Sequence, residues 1–404
     1  MGFAILLAFW LQAAGDPSAA GTKALEEQKY EEAARLFGEV VTKTPEDAYA
    51  RFHLALSLSL LNRDAESAAE YKKVLAAQPG LYEAQLNLGV VLLRMKQPDE
   101  AAPLLDSACK QKADQYRPNY YYGEALLASS NFEGAEAALR AALTIDAKRP
   151  EAQLAMGRAV AKQGRVKESA VWFAGAASAD ASYRDALLEL AALHEGAGNR
   201  AEAAEIYKQF PENTGARERL GVLMLAGGDA TGAVAELEKA VQTSPTAANR
   251  FALATAYLKA KQNDKALPLI AAAAEQEPKN VELRLTLGRL RREAKAYDPA
   301  AREFFVATQI DPSSKAAWSE FASTLFLLGN YQGTLAAFDK LKALGEESAA
   351  QWYLRALCYD RMQLYKEALP AYEKFLAMSD GKSPEEEFKA RQRIKVAKKI
   401  LERR

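Results

Sequence analysis

The chain has 404 residues, and its 53 basic side chains are balanced by 53 acidic ones, so the basic excess that marks a nucleic-acid-binding protein is missing. Charged residues make up 26% of a chain rich in alanine and leucine, with only 15 prolines, a mix that favours helix throughout. The two cysteines, Cys109 and Cys358, are too far apart in sequence to expect a disulfide between them in a chain of local contacts.

The first element is an apolar run, Met1 to Leu11, followed by Ala13-Ala14-Gly15. It is too short to span a bilayer. It has the length of a signal-peptide core with small residues at a cleavage position, although no Lys or Arg precedes it. The expectation is a leader over 1–15 that is removed on export, leaving a periplasmic or secreted chain. If the run is not a signal, the chain is cytoplasmic. No cysteine follows the run, so a lipoprotein anchor is not supported, and membrane contact is expected only through this segment.

From Ala14 a 34-residue frame repeats. Its units begin at Ala14, Ala48, Tyr82, Tyr116, Pro150, Arg184, Thr214, Ala247, Val281, Lys315 and Ala349. Position eight is Gly or Ala in every unit, from Gly21 and Ala55 through Gly157 to Ala356. Position 20 is small in every unit, as at Ala33, Ser67 and Thr334, and position 24 is large, as at Phe37, Tyr71, Phe173 and Phe304. Small residues let two helices cross closely, and the large side chain one turn further on fills the space beside the crossing. Proline near position 32, as at Pro45, Pro79, Pro245, Pro278 and Pro312, closes the second helix of a unit. Turns between the paired helices are signalled by Gln97-Pro98-Asp99, Gly227-Gly228-Asp229 and Gly329-Asn330. Asp16-Pro17 is suited to cap the first helix. The sixth unit, near 184–213, is about four residues short, and Phe210-Pro211 ends its second helix early.

With these positions in place, the chain resembles the tetratricopeptide repeat family, whose 34-residue unit has small residues at 8 and 20 and a large one at 24. The resemblance covers Ala14 to about Lys382. It implies an all-α, right-handed superhelical solenoid of about eleven helix-turn-helix repeats, here over 16–382.

The remaining residues, 383–404, read as a closing helix. Ser383 is its N-cap, Pro384 stands at its first position, and Glu385, Glu386 and Glu387 suit the positive helix end. Phe388, Ile394, Val396, Ala397, Ile400 and Leu401 are expected to form its apolar stripe. Its later part is basic from Lys389 to Arg404. That is read as a solvated face, with an anionic partner as the alternative.

Chemistry is sparse. His53 and His194 lie four units apart and cannot share a metal, and Gly198 stands where a zinc-protease helix starting at His194-Glu195 would need its second histidine. There is no G-x-S-x-G elbow and no phosphate-binding G-x-x-x-x-G-K. No enzyme activity, metal or cofactor is expected.

By the resemblance, positions 2, 5, 6, 9, 12 and 13 of each unit line a concave groove that takes protein or peptide partners. The candidate groove residues are Tyr49, His53, Asn87, Arg94, Arg117, Tyr120, Tyr121, Arg158, Arg219, Arg289 and Arg292. Phe52, Phe251 and Tyr353 stand at a position that is either groove or core, and Tyr120 and Tyr121 share that alternative, while Tyr122 is expected in the core. Aromatic residues and arginine are the types enriched at binding hot spots. The positive character of Arg94, Arg117 and Arg158 points to a peptide with acidic residues among apolar ones. The Lys–Asn clamp with which some members hold a C-terminal carboxylate is not reproduced, since Phe52 and Leu56 occupy its places. The functional expectation is a protein-interaction scaffold, exported and serving envelope assembly. The alternatives are an intracellular adaptor and a regulatory or substrate-recruiting subunit of a larger enzyme or export complex. The oligomeric state is not readable.

Overall fold

Position 15 of the repeat carries the most regular backbone feature of the chain. In all eleven units the residue there has a positive φ, between 58° and 88°. Only Gly164, Gly198, Gly228 and Gly329 are glycines; the others include Gln28, Asn62, Lys96, Ser130, Lys261, Lys295 and Gln363. The left-handed residue ends the first helix and reverses the chain. In the second unit the Arg63 amide then donates to the Leu58 carbonyl and the Asn62 amide to the Ser59 carbonyl, satisfying the exposed end of the helix. A non-glycine side chain in this conformation costs about 1–2 kcal/mol, so the turn is held by the packing of the two helices it joins.

The computed structural model describes residues 18–402. Among the described residues there are 23 α-helices, one short 3-10 helix and no strand. The fold is an all-α repeat solenoid: within each of its two compact parts a repeat's two helices pack on each other, as Tyr116–Ala128 does on Phe132–Ile145, and leading helices of adjoining repeats also touch.

The chain divides into two compact units, 1–206 and 207–404. In the first, the leading helices are Ala19–Glu26, Ala48–Leu60, Tyr82–Arg94, Tyr116–Ala128, Pro150–Lys162 and Ala186–Gly196. Their partners include Tyr30–Lys43, Asp64–Ala77, Pro98–Gln111, Phe132–Ile145 and Val166–Ala179. In the second, Thr214–Ala226, Ala247–Lys259, Val281–Glu293, Lys315–Leu327 and Ala349–Arg361 alternate with Ala230–Thr243, Asn263–Gln276, Tyr297–Ile310, Tyr331–Ala343 and Tyr365–Ser379. The short sixth repeat ends in an eight-residue helix, Arg200–Tyr207, at the division. The leader expected over 1–15, and the Asp16-Pro17 cap, lie outside the described residues.

The small-to-large pairing of positions 8 and 24 is a direct contact. A Cβ added at Gly89 would stand 2.5 Å from Leu105 Cγ, and one at Gly157 would stand 2.8 Å from Phe173 Cδ2. Tyr71, Leu105, Phe173, Phe304 and Tyr372 are fully buried at these crossings.

A second regularity holds the loops. The side chain at position four reaches back six residues to the carbonyl that ends the preceding unit. Gln85 donates to Pro79, Asn119 to Ala113, Gln153 to Ala147, Arg284 to Pro278 and Trp318 to Pro312. Three of the four arginines at position four bind the glutamate at position 23 of their own unit, Arg51–Glu70, Arg217–Glu236 and Arg284–Glu303; Arg250 has Leu269 there.

The helix Pro384–Glu402 packs on Tyr365–Ser379 through Ala390, Ile394 and Ala397. Glu387 is also turned inward: it accepts from Ser379 Oγ at 2.7 Å and from the Gly381 amide at 2.8 Å. Those bonds set the rotation of the helix, and at 3.6 residues per turn residues 387, 390, 394 and 397 share the inner face. Phe388 and Val396, expected in the apolar stripe, therefore face outward, at 62% and 43% exposure.

Candidate protein-binding face

The densest part of the face formed by leading helices lies in the first unit of the fold. Tyr116–Ala128 begins with Pro118 in its first turn, where a missing N–H breaks no helical bond. Asn119 is buried and its amide ties down the incoming loop at the Ala113 and Gln115 carbonyls. Helical periodicity then places Arg117, Tyr120, Tyr121 and Glu124 along one side.

The Tyr116 and Tyr120 rings lie parallel, 5.6 Å apart, and Tyr121 is tilted against Tyr120 at 5.1 Å. Tyr116 donates to Glu151 Oε1 on the next leading helix, and the Arg149 guanidinium lies 5.0 Å over its ring. Burial pushes the phenols of Tyr116 and Tyr120 upward, so both stay protonated donors. Tyr120, Tyr121 and Tyr122 are all half-buried, so Tyr122 is less enclosed than expected.

Two candidates are core rather than surface. His53 is 1% exposed, with Nδ1 2.9 Å from the Tyr49 carbonyl and its ring packed between Phe37 and Tyr49. Desolvation lowers its pKa, so it is a neutral packing residue at physiological pH. Asn87 is 5% exposed. At His53 position six is shut in by the rings of Phe37, Tyr49 and Phe52. Tyr49 stays half-buried, its hydroxyl 3.1 Å from Thr22 Oγ1, and with Phe52, His53, Gln78, Leu81 and Glu83 it lines a recess of about 170 Å³.

The arginines are mostly engaged within the fold. Arg94 donates to Asp64 Oδ1 at 2.5 Å and to Ser59 Oγ at 2.7 Å, both in the preceding repeat. Arg158 makes a bidentate pair with Glu189, at 2.9 Å from Nε and 2.7 Å from Nη2. In the second unit Arg289 binds Glu320 at 2.6 Å, and Arg292 binds the same carboxylate at 2.6 Å while lying 5.4 Å over the Phe304 ring. Arg219 is exposed on Thr214–Ala226. Arg158–Glu189 and Arg289–Glu320 are the same pair in the repeat frame: an arginine at position nine meets a glutamate at position six of the following repeat. The spacing of 31 residues in a 34-residue frame is a signal that could have found these carboxylates. In the first unit Asp64 and Glu189 thus neutralise Arg94 and Arg158, two of the three arginines on which the acidic-peptide expectation rests. Arg117 differs: it lies over the Tyr121 ring at 5.9 Å and makes no ion pair among the described residues.

The tetratricopeptide repeat family model matches residues 18–82, 123–184, 188–248, 257–319 and 351–380, well over half of the chain. The chain belongs to the tetratricopeptide repeat family. As a tetratricopeptide repeat chain it is a protein-interaction scaffold. Cellulose synthase operon protein C of Pseudomonas fluorescens is 28% identical over 134 residues, 31% of this chain and 10% of that protein. A protein O-mannosyl-transferase of Homo sapiens is 26% identical over 207 residues, 49% of this chain and 23% of that protein. The chain thus spans under a quarter of the length of these curated relatives. Among solved structures, MamA from Desulfovibrio magneticus is 22% identical, with a TM-score of 0.39 over 42% of this chain and 98% of that one. No helix among the described residues is long and apolar enough to cross a membrane.

Proposed function

We propose that the chain acts by holding a segment of a partner protein on the face of leading helices around Arg117, Tyr120 and Tyr121, as an exported scaffold of an envelope assembly. One observation carries the reading of the site: three half-buried tyrosines stand with the Arg117 guanidinium, which has no ion pair among the described residues, while the neighbouring Arg94 and Arg158 are neutralised within the fold. Tyrosine supplies large contact area at little cost in side-chain entropy, and aromatic and arginine anchors dominate binding energies. The apolar run at Met1 to Leu11 motivates the export part of the reading. A second reading, a recruiting module of a larger enzyme, draws on the much greater length of both curated relatives and on the transferase among them.

The test of the site is a comparison of partner capture by the parent chain and by an Arg117→Ala/Tyr121→Ala variant. Both side chains leave the repeat-to-repeat ion pairs intact, unlike Arg158, whose loss would also loosen the pair with Glu189. The proteins held by the parent are expected to fall at least roughly tenfold in yield, the scale of a hot-spot loss. Equal capture by a folded variant contradicts the reading.

A further inference from the structure

In the two recurring pairs an arginine at position nine meets a glutamate at position six of the next repeat, Arg158 with Glu189 and Arg289 with Glu320. Glu124 breaks this pattern. It stands at position nine of its unit, and the residue at position six of the next is Ala155, a buried methyl that offers no charge. Tyr120 lies one turn before Glu124 and Tyr121 three residues before it, so the carboxyl is flanked by ring surface. The cation acting on it is Arg158, which is committed to Glu189 through both Nε and Nη2.

We infer that Glu124, with the faces of Tyr120 and Tyr121, receives a basic side chain, Lys or Arg, from a protein partner, the chain's own repeat pattern having left this carboxylate without its cation. The inference rests on the proposed binding face and specifies what that face selects.

The local charge supports it. Arg149 is paired with Asp146 and Glu151 and Arg158 with Glu189, whereas Glu124 forms no ion pair among the described residues. Arg117 is seven residues away along the helix, about 10 Å at 1.5 Å per residue, which is about a Debye length at ordinary salt. It is thus a separate anchor at the other end of the tyrosine row. A cation seated over tyrosine gains from the negative ring face, and a charge-assisted bond to a half-enclosed carboxylate is stronger than one in open water. Burial raises the Glu124 pKa, with Arg158 acting in the opposite sense. A carboxyl whose pKa is raised on folding loses stability as pH climbs from the ordinary carboxylate range through the folded value. At neutral pH Glu124 therefore costs the free fold stability, and an arriving cation relieves that cost.

The experiment uses the full chain and a displayed library of random dodecapeptides, selected at neutral pH. Peptides binding the parent are expected to carry Lys or Arg beside apolar residues and to weaken roughly tenfold on Glu124→Gln. Glu124→Gln removes the half-enclosed charge and should melt no lower than the parent at neutral pH, so lost binding is not lost fold. Peptides that weaken with Tyr121→Ala but ignore Glu124→Gln, or that are rich in Asp and Glu, overturn this inference and leave the binding face standing. Peptides indifferent to both substitutions, or a library from which the parent selects nothing, overturn both.

Discussion

Phe173→Ala is expected to destabilise the chain by about 3–5 kcal/mol, the usual cost of deleting a fully buried phenylalanine. Phe173 is 0% exposed and fills the space beside the crossing at Gly157, between Pro150–Lys162 and Val166–Ala179. In a repeat array each unit leans only on its neighbours, so a hole in the fifth repeat weakens its internal packing and its interfaces together. Gly157→Leu acts from the other side. A Cβ there already falls within 2.9 Å of two Phe173 ring atoms and 3.3 Å from Trp172 Cβ, so leucine forces the helices apart at about 1–3 kcal/mol. Combined, the two should not add. The leucine occupies the volume the ring gives up, and the double variant should recover about 0.5–3 kcal/mol relative to the sum. Urea unfolding followed by circular dichroism reads all three variants. Strict additivity would show that the ring and the glycine do not share one crossing.

Glu303→Ala has the next largest expected effect. Glu303 is 8% exposed and accepts from Arg284 Nη1 at 2.7 Å and from Arg291 Nη1 at 2.6 Å. Removing the carboxylate leaves two partly buried guanidinium groups beside each other, which costs about 3 kcal/mol when a buried pair is broken from one side. Arg35→Ala, which removes an exposed pair with Glu39, is the matching reference and should change stability by less than about 1 kcal/mol. Equal urea midpoints for the two variants would contradict the role given to Glu303.

The repeat frame was legible in the sequence because positions 8, 20 and 24 each answer to one steric demand that any register must satisfy. The left-handed turn at position 15 was not, since Lys96, Ser130 and Lys295 carry no turn signal of their own and are held there by the helices they join. The face of leading helices was legible only in part. Which position it occupies in the frame says where a side chain starts, but not what covers it: His53 and Asn87 are closed over by neighbours, and Arg158 is taken by Glu189. The last helix shows the same limit, because the hydrogen bonds of Glu387 turn Phe388 outward against its hydrophobicity.

A photo-crosslinking amino acid placed on the tyrosine face tests the proposed binding surface in the native cell. Position 121 lies within the tyrosine row, and Val171, 67% exposed on the second helix of the next repeat, provides the comparison. Partner adducts are expected from position 121 and few from 171, on a chain whose mass lacks about the first 15 residues once export removes them. Adducts from 171 with none from 121 would contradict it.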